Sequence, residues 1–249
     1  MAYKTQPGTA PPPPGAPIQW MESIPLIPNC PPGLEYLTQI DQIIVEQKVS
    51  LLEAFTEWEV KNKYAIYNGA GQQAYFAFEE SDGCERLCCG AARGYTLHIV
   101  DNFQKEVAKI TRPFLCCGNL CCQNETTIEA PPGNVIGVVR QQFGCASHNF
   151  AIYTPDGEAQ LEIHGPNECG FGFACNCCAD KVFKVKTLEG DTIGDIRKKW
   201  TGMTREYFTD ADTFTVKFPI DLNVNTKATL IAATFLIDFL CFEDNNASR

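Results

Sequence analysis

One segment of the 249-residue chain is apolar on every side: Ala228 to Phe242, within KATLIAATFLIDFLCFE. A helix formed there has no polar face to turn to water, so it must be buried in protein or in lipid. Its fifteen residues at about 1.5 Å each reach roughly 22 Å, short of the ~30 Å hydrocarbon core of a bilayer. Asp238 adds a penalty of about 2.5–3.5 kcal/mol near a bilayer centre. Length and charge favour a helix over 227–242 enclosed by protein, with a membrane span as the alternative. A barrel lumen is the obvious enclosure.

The segment preceding it supplies the wall. From Ile43 to Phe218, runs rich in Val, Ile, Tyr, Phe and Thr alternate with turn chemistry. Ile43 to Val49 and Leu51 to Val60 precede Lys61-Asn62, and Tyr64 to Tyr67 follows. Tyr95 to Val100 turns at Asp101-Asn102 into Glu106 to Ile110. Phe150 to Tyr153 meets Pro155-Asp156-Gly157 before Ala159 to Ile163, and Lys181 to Leu188 turns at Glu189-Gly190-Asp191 into Thr192 to Lys198. Such hairpins mean antiparallel sheet, and roughly ten to twelve strands without a flat open edge mean a closed barrel or a sandwich. No helical crossovers suggest parallel α/β, and no fixed short repeat suggests a propeller.

Net charge of −10 and a pI near 4.8 argue against strong nucleic-acid binding, which needs clustered Lys and Arg. They also argue against purely electrostatic docking of the whole body on an anionic leaflet. Residues 1–30 carry Pro11 to Pro14, Pro17, Pro25 and Pro28, which reads as a flexible proline-rich leader with SH3 or WW proteins as candidate partners. No secretory signal pattern is expected there. The fourteen cysteines are then mostly reduced thiols of a cytosolic chain, and the sequons at Asn124 and Asn246 stay unglycosylated. The domain division is 1–30 leader, 31–244 barrel with its helix, and 245–249 tail.

Candidate sites follow from residue type and spacing. Cys116, Cys117, Cys121 and Cys122 flank Gly118-Asn119-Leu120 in what reads as an exposed loop. Cys175 and Cys178, with Cys169 and Cys177, form one zinc-like pair, but a structural zinc site needs four ligands and no second C-x-x-C lies at finger spacing. From Asp210, oxygens recur at calcium-loop positions one, three and twelve, the full set being Asp210, Asp212, Phe214, Val216, Phe218 and Asp221. Thr215 stands where the loop wants Gly and Asp221 where it wants a bidentate Glu, while Thr213 to Phe218 alternates like a strand. Any such site is weak, with Kd on the order of 10⁻⁴–10⁻³ M; the alternative is a barrel strand flanked by solvated aspartates. His98, His148 and His164 are isolated, Cys145 near His148 makes no triad, and no nucleophile elbow or phosphate loop occurs. Bond-making catalysis is not expected.

Several blocks resemble one family in the same order: RPFLCCGNLCCQ (112–123), APPG (130–133), CNCCAD (175–180), KKWTG (198–202), FTDADTFTVKFPIDL (208–222) and the apolar helix segment. Together they cover about 31–243 and resemble the phospholipid scramblases. That resemblance implies a twelve-stranded Tubby-like β-barrel closed around the C-terminal helix. It also implies calcium-dependent, ATP-independent, bidirectional movement of phospholipids between leaflets. Palmitate would be carried on Cys116, Cys117, Cys121 and Cys122, calcium in the Asp210 segment, and Arg197, Lys198, Lys199 and Trp200 would form a nuclear-import segment read by an importin. Acylation suits an acidic protein, because two or more chains anchor stably where charge does not. The expected location is the cytosolic face of the plasma or another membrane, with a minor nuclear pool and calcium-driven self-association. The alternative is an acyl-anchored Tubby-like adaptor, binding lipid headgroups or signalling proteins without scrambling.

Overall fold

The computed structural model describes residues 18–48, 62–80, 93–115, 123–142, 148–166, 180–199 and 212–242. A short 3-10 helix, Glu35–Gln39, precedes the wall strands β1 (Gln42–Gln47), β2 (Lys63–Asn68), β3 (Gln73–Glu80), β4 (Tyr95–Val100), β5 (Glu106–Arg112) and β6 (Glu125–Glu129). The wall continues with β7 (Val135–Gln142), β8 (Asn149–Tyr153), β9 (Ala159–His164), β10 (Lys181–Lys186), β11 (Thr192–Lys199) and β12 (Thr213–Lys217), and helix α1 (Val224–Cys241) follows. Each strand pairs antiparallel with its sequence neighbours, and β1 pairs with β12, so the sheet closes on itself as a barrel. Closure removes the unpaired edges that an open sheet of this size would expose.

The hairpin β8–β9 forms at Pro155-Asp156-Gly157 as expected, and the pairs β4–β5 and β10–β11 likewise. The expected strand at Leu51 to Val60 lies outside the described residues. Turns 69–72, 101–105, 130–134, 154–158 and 187–191 all lie at one end of the barrel, here the turn end. The connections of the opposite, distal end fall in the segments not described.

Helix α1 enters at the turn end and runs through the lumen. Asn223 caps it, its Oδ1 accepting from Asn225 N at 2.8 Å, so the helix starts at Val224, ahead of the expected 227. It is eighteen residues long, about 27 Å, so length alone would let it approach a bilayer span. Burial decides otherwise: α1 is the one helix among the described residues long and apolar enough to cross a membrane, and most of it is enclosed. Leu230, Ala232, Ala233, Leu236 and Ile237 are fully buried, with Ile231, Phe235 and Phe239 nearly so. Inward residues of the wall, among them Ile43, Val45, Ile66, Leu97, Ile163, Val185, Ile196 and Val216, complete one continuous core. Burying each large side chain contributes about 1.5–3 kcal/mol, which fixes the helix as the centre of the fold.

Candidate functional site

Polar chemistry concentrates at the two ends of α1, where an apolar helix must meet water or be sealed. At the turn end, Lys227 is fully buried. Its ammonium donates to the carbonyls of Leu37 at 2.8 Å, Ile40 at 3.0 Å and Ile220 at 2.7 Å. Its Nζ also lies 5.2 Å from the Phe218 ring centroid. One side chain thus ties the first turn of α1 to the 3-10 helix and to the turn after β12. Burial pushes its pKa down to about 8, against the upward pull of Asp221 and Asp41.

At the distal end, Asp238 sits in the last turn of α1 and is buried. Lys198 Nζ is 3.9 Å from Asp238 Oδ1 and 2.7 Å from Asp212 Oδ2. The same ammonium lies 4.1 Å from the Phe242 ring centroid and 5.4 Å from that of Phe214. Beside it, Phe239 stacks on Tyr95 at 4.2 Å, and the Arg93 guanidinium covers Phe239 at 4.7 Å. Arg93 in turn pairs with buried Glu79 at 3.4 Å, and Arg112 donates to Asn124 Oδ1 at 2.6 Å. These charges are held in one hydrogen-bonded and aromatic layer across the barrel mouth, the arrangement that lets buried polar groups persist. Desolvation raises the Tyr95 phenol far above its ordinary range.

The structure separates the residues expected to hold calcium. Phe214, Val216 and Phe218 are buried core residues on or just after β12, a strand hydrogen-bonded on both sides, to β1 and to β11. Asp212 stands at the distal end, paired with Lys198. Asp221 is exposed in the turn at the other end. An extended strand rises about 3.3 Å per residue, so the two carboxylates lie on the order of 20 Å apart. They do not fit a single chelating loop. Asp210 lies outside the described residues, as do Cys116, Cys117, Cys121, Cys122, Cys145, Cys169, Cys175, Cys177, Cys178 and Trp200.

The basic segment is split by the strand's alternation. Ile196 and Lys198 face the lumen, while Arg197 and Lys199 face outward. The central lysine is therefore engaged with Asp238 and Asp212. Asn124, the first sequon asparagine, is buried, and its Nδ2 donates to Gln141 Oε1 at 2.6 Å. Among the histidines, His98 lies on the outer wall between Glu106 at 2.7 Å and Glu80 at 3.0 Å. Its two ring nitrogens point to opposite sides, so this trio does not converge on an ion, and no group of metal-holding residues occurs among the described residues.

Sequence reasoning missed the roles of Lys227 and Lys198. Lys227 heads an apolar run, which read as a flank. Lys198 read as part of a charge run, although Ile196, two residues before it, signals an inward-facing position.

A family model described as Scramblase matches residues 21–244. Phospholipid scramblase 2 of Bos taurus is 48% identical over 236 residues, covering 92% of this chain and 78% of that protein. Phospholipid scramblase 1 of Homo sapiens is 46% identical over 235 residues, covering 93% of this chain and 72% of that protein. Phospholipid scramblase family member 5 of Homo sapiens is 43% identical over 237 residues, covering 92% and 86% respectively. No solved structure matches the chain.

Proposed function

The chain belongs to the scramblase family, and from that premise we propose that it moves phospholipids between the leaflets of a membrane, in both directions, without ATP and without bond chemistry. The observation that carries this reading is the family match over 21–244, which takes in the whole barrel and its helix. The protein works at the cytosolic face, held by acyl chains on Cys116, Cys117, Cys121 and Cys122. Calcium raises the activity through weak engagement of separate carboxylates, among Asp210, Asp212 and Asp221. Calcium-driven self-association, SH3 or WW docking on the proline-rich leader and an importin-read Arg197–Trp200 segment complete the proposal.

Enclosure of α1 constrains how lipid moves. Helices and closed barrels span membranes because their backbone groups are satisfied internally, but a barrel filled by a helix offers no lumen for a headgroup. Lipid must pass along an outer surface or where copies assemble. The same enclosure favours a second reading, an acyl-anchored adaptor of Tubby-like fold that binds headgroups or signalling proteins and scrambles nothing.

Reconstitution into liposomes carrying a fluorescent phospholipid distinguishes the two. A scramblase brings inner-leaflet lipid within reach of an external quencher faster than protein-free liposomes do, and more so with calcium. Background rates at saturating calcium would sink the first reading and leave the adaptor.

A further inference from the structure

The outer wall built by β10, β11 and β12 carries a charge that the rest of the molecule does not explain. Lys184, Asp195 and Lys217 lie opposite one another across the three strands. Two residues along β11, Arg197 faces outward between Val182 and Thr215, and Lys199 follows opposite Thr213. Lys184 and Arg197 are 50% and 40% exposed, Lys217 is exposed and Lys199 half-exposed. Among the described residues Asp195 is the one carboxylate paired on this strip, 3.9 Å from Lys184 and 3.6 Å from Arg197. With Lys186, which faces outward at the end of β10 opposite Glu162 of β9, five cations against two carboxylates leave this face at +3, in a chain whose net charge is −10.

Asp195 offsets only part of this charge, so the face presents a local excess of positive potential that an anionic surface would answer. We propose that the exposed outer face of β10 and β11, with Lys217 at the end of β12, is the surface on which the barrel docks to an anionic phospholipid bilayer; the outward Thr213 and Thr215 of β12 are buried and take no part. The whole-molecule charge does not forbid this. Screening at physiological salt confines the interaction to about 8 Å, and the opposite wall lies beyond the enclosed helix, itself about 10 Å wide. The acidic turn residues Asp156, Glu158, Glu189 and Asp191 border the turn end and steer that end away from the membrane. Lys198 takes no part, being turned inward on Asp238. The choice of lipid as occupant rests on the reading above; a polyanionic nucleic acid is the outcome that would replace it.

The test is co-sedimentation of the full chain, produced without acyl groups, with phosphatidylcholine vesicles that contain or lack phosphatidylserine. Arg197→Gln with Lys199→Gln is compared with Lys105→Gln with Lys109→Gln. The second pair makes the same change in net charge in the turn before β5 and on β5 itself, across the barrel from β11. Each cation near an anionic surface is worth about a 5-fold change in partitioning. The strip variant should therefore lose about 25-fold in binding to the anionic vesicles, added salt should abolish the wild-type binding, and the β5 variant should bind as wild type. Circular dichroism confirms that both variants fold. Equal losses for both pairs, no loss for the strip pair, or a preference for single-stranded nucleic acid over vesicles would each overturn the proposal. Sedimentation requires no lipid translocation. A strip that fails to dock while liposome scrambling persists refutes the surface alone, and docking without scrambling refutes only the transporter reading.

Discussion

Gly137 of β7 lies directly against Thr229 of α1: a Cβ built on the glycine would stand 2.0 Å from the threonine Oγ1 and 2.9 Å from its Cγ2. The threonine is not free to swing aside, because its hydroxyl donates to Asn225 O at 2.7 Å and its β-branch restricts χ1. Wall and helix touch here with no space to spare. Gly137→Ala should destabilise the fold by about 1–3 kcal/mol, the usual cost of overpacking. Thr229→Ala in the same chain removes the atoms in the way, so the double variant should lose less than the sum of the singles. Urea denaturation of the four proteins checks it; simple additivity would mean that the helix does not press on β7.

Lys227 seals the turn end, and its removal exposes what it satisfies. In Lys227→Met the buried carbonyls of Leu37 and Ile40, and the more exposed one of Ile220, lose their shared donor, at an expected cost of about 3 kcal/mol. The pH dependence has a definite sign. A lysine whose folded pKa is lowered to about 8 binds fewer protons folded than unfolded between that value and the ordinary lysine range, so stability contributed by this group rises with pH from about 8 upward. Buried Tyr75 and Tyr95, with pKa values raised by burial, act oppositely once unfolded tyrosines ionise near pH ~10. Between those limits the melting temperatures of wild type and Lys227→Met should diverge as pH rises if Lys227 supplies the gain, and run parallel if it does not.

Lys198 holds the other end. Lys198→Met leaves Asp238 and Asp212 without their common cation, and the last turn of α1 should open. The expected loss is about 1–3 kcal/mol, with a positive coupling to Asp238→Asn, which removes the buried charge that the lysine compensates. Hydrogen exchange reads the site directly: amides of 236–241 should lose protection in Lys198→Met and regain part of it in the double variant. Unchanged exchange there would show the contact to be energetically idle.

Much of the barrel was legible because turn chemistry is local. Gly157 and Gly190 adopt φ values of 87° and 96°, which glycine tolerates and other residues resist, and each marks a hairpin correctly. Strands β3, β6 and β7 carried weaker signals. In β3 five consecutive residues from Gln73 are buried, which erases the alternation that betrays a strand, and β6 is short and polar. The helix was legible from its unbroken apolarity, though its cap at Asn223 was overlooked. What the sequence did not reveal is long-range pairing. Lys198 and Asp238 are forty residues apart, and nothing local announces that a lysine in a basic run turns inward to meet a carboxylate in an apolar one. The spacing of Asp212 and Asp221 shows the converse: regular intervals in sequence fit a loop, but the described chain between them runs as strand β12, and these two carboxylates stand at opposite ends of the barrel.

Membrane attachment should depend on the proposed acyl cluster and not on α1. Turning the helix out into lipid would strip Lys227 of three carbonyls and Asp238 of Lys198, besides emptying the barrel of the core that holds it closed. Replacement of Cys116, Cys117, Cys121 and Cys122 by serine should therefore release the protein from membranes washed at high salt, which also removes any contact made by the basic strip. The released protein should be folded, with the far-ultraviolet spectrum of the parent and the same cooperative unfolding. An epitope after Arg249 should be cleaved by protease only in opened cells, on the side where the leader lies. Retention of the serine variant in the washed membrane fraction, together with cleavage of the epitope from outside intact cells, would mean that α1 leaves the barrel to cross the bilayer. The two lysine seals would then be latches that open, and lipid movement along the emptied barrel would become the stronger mechanism.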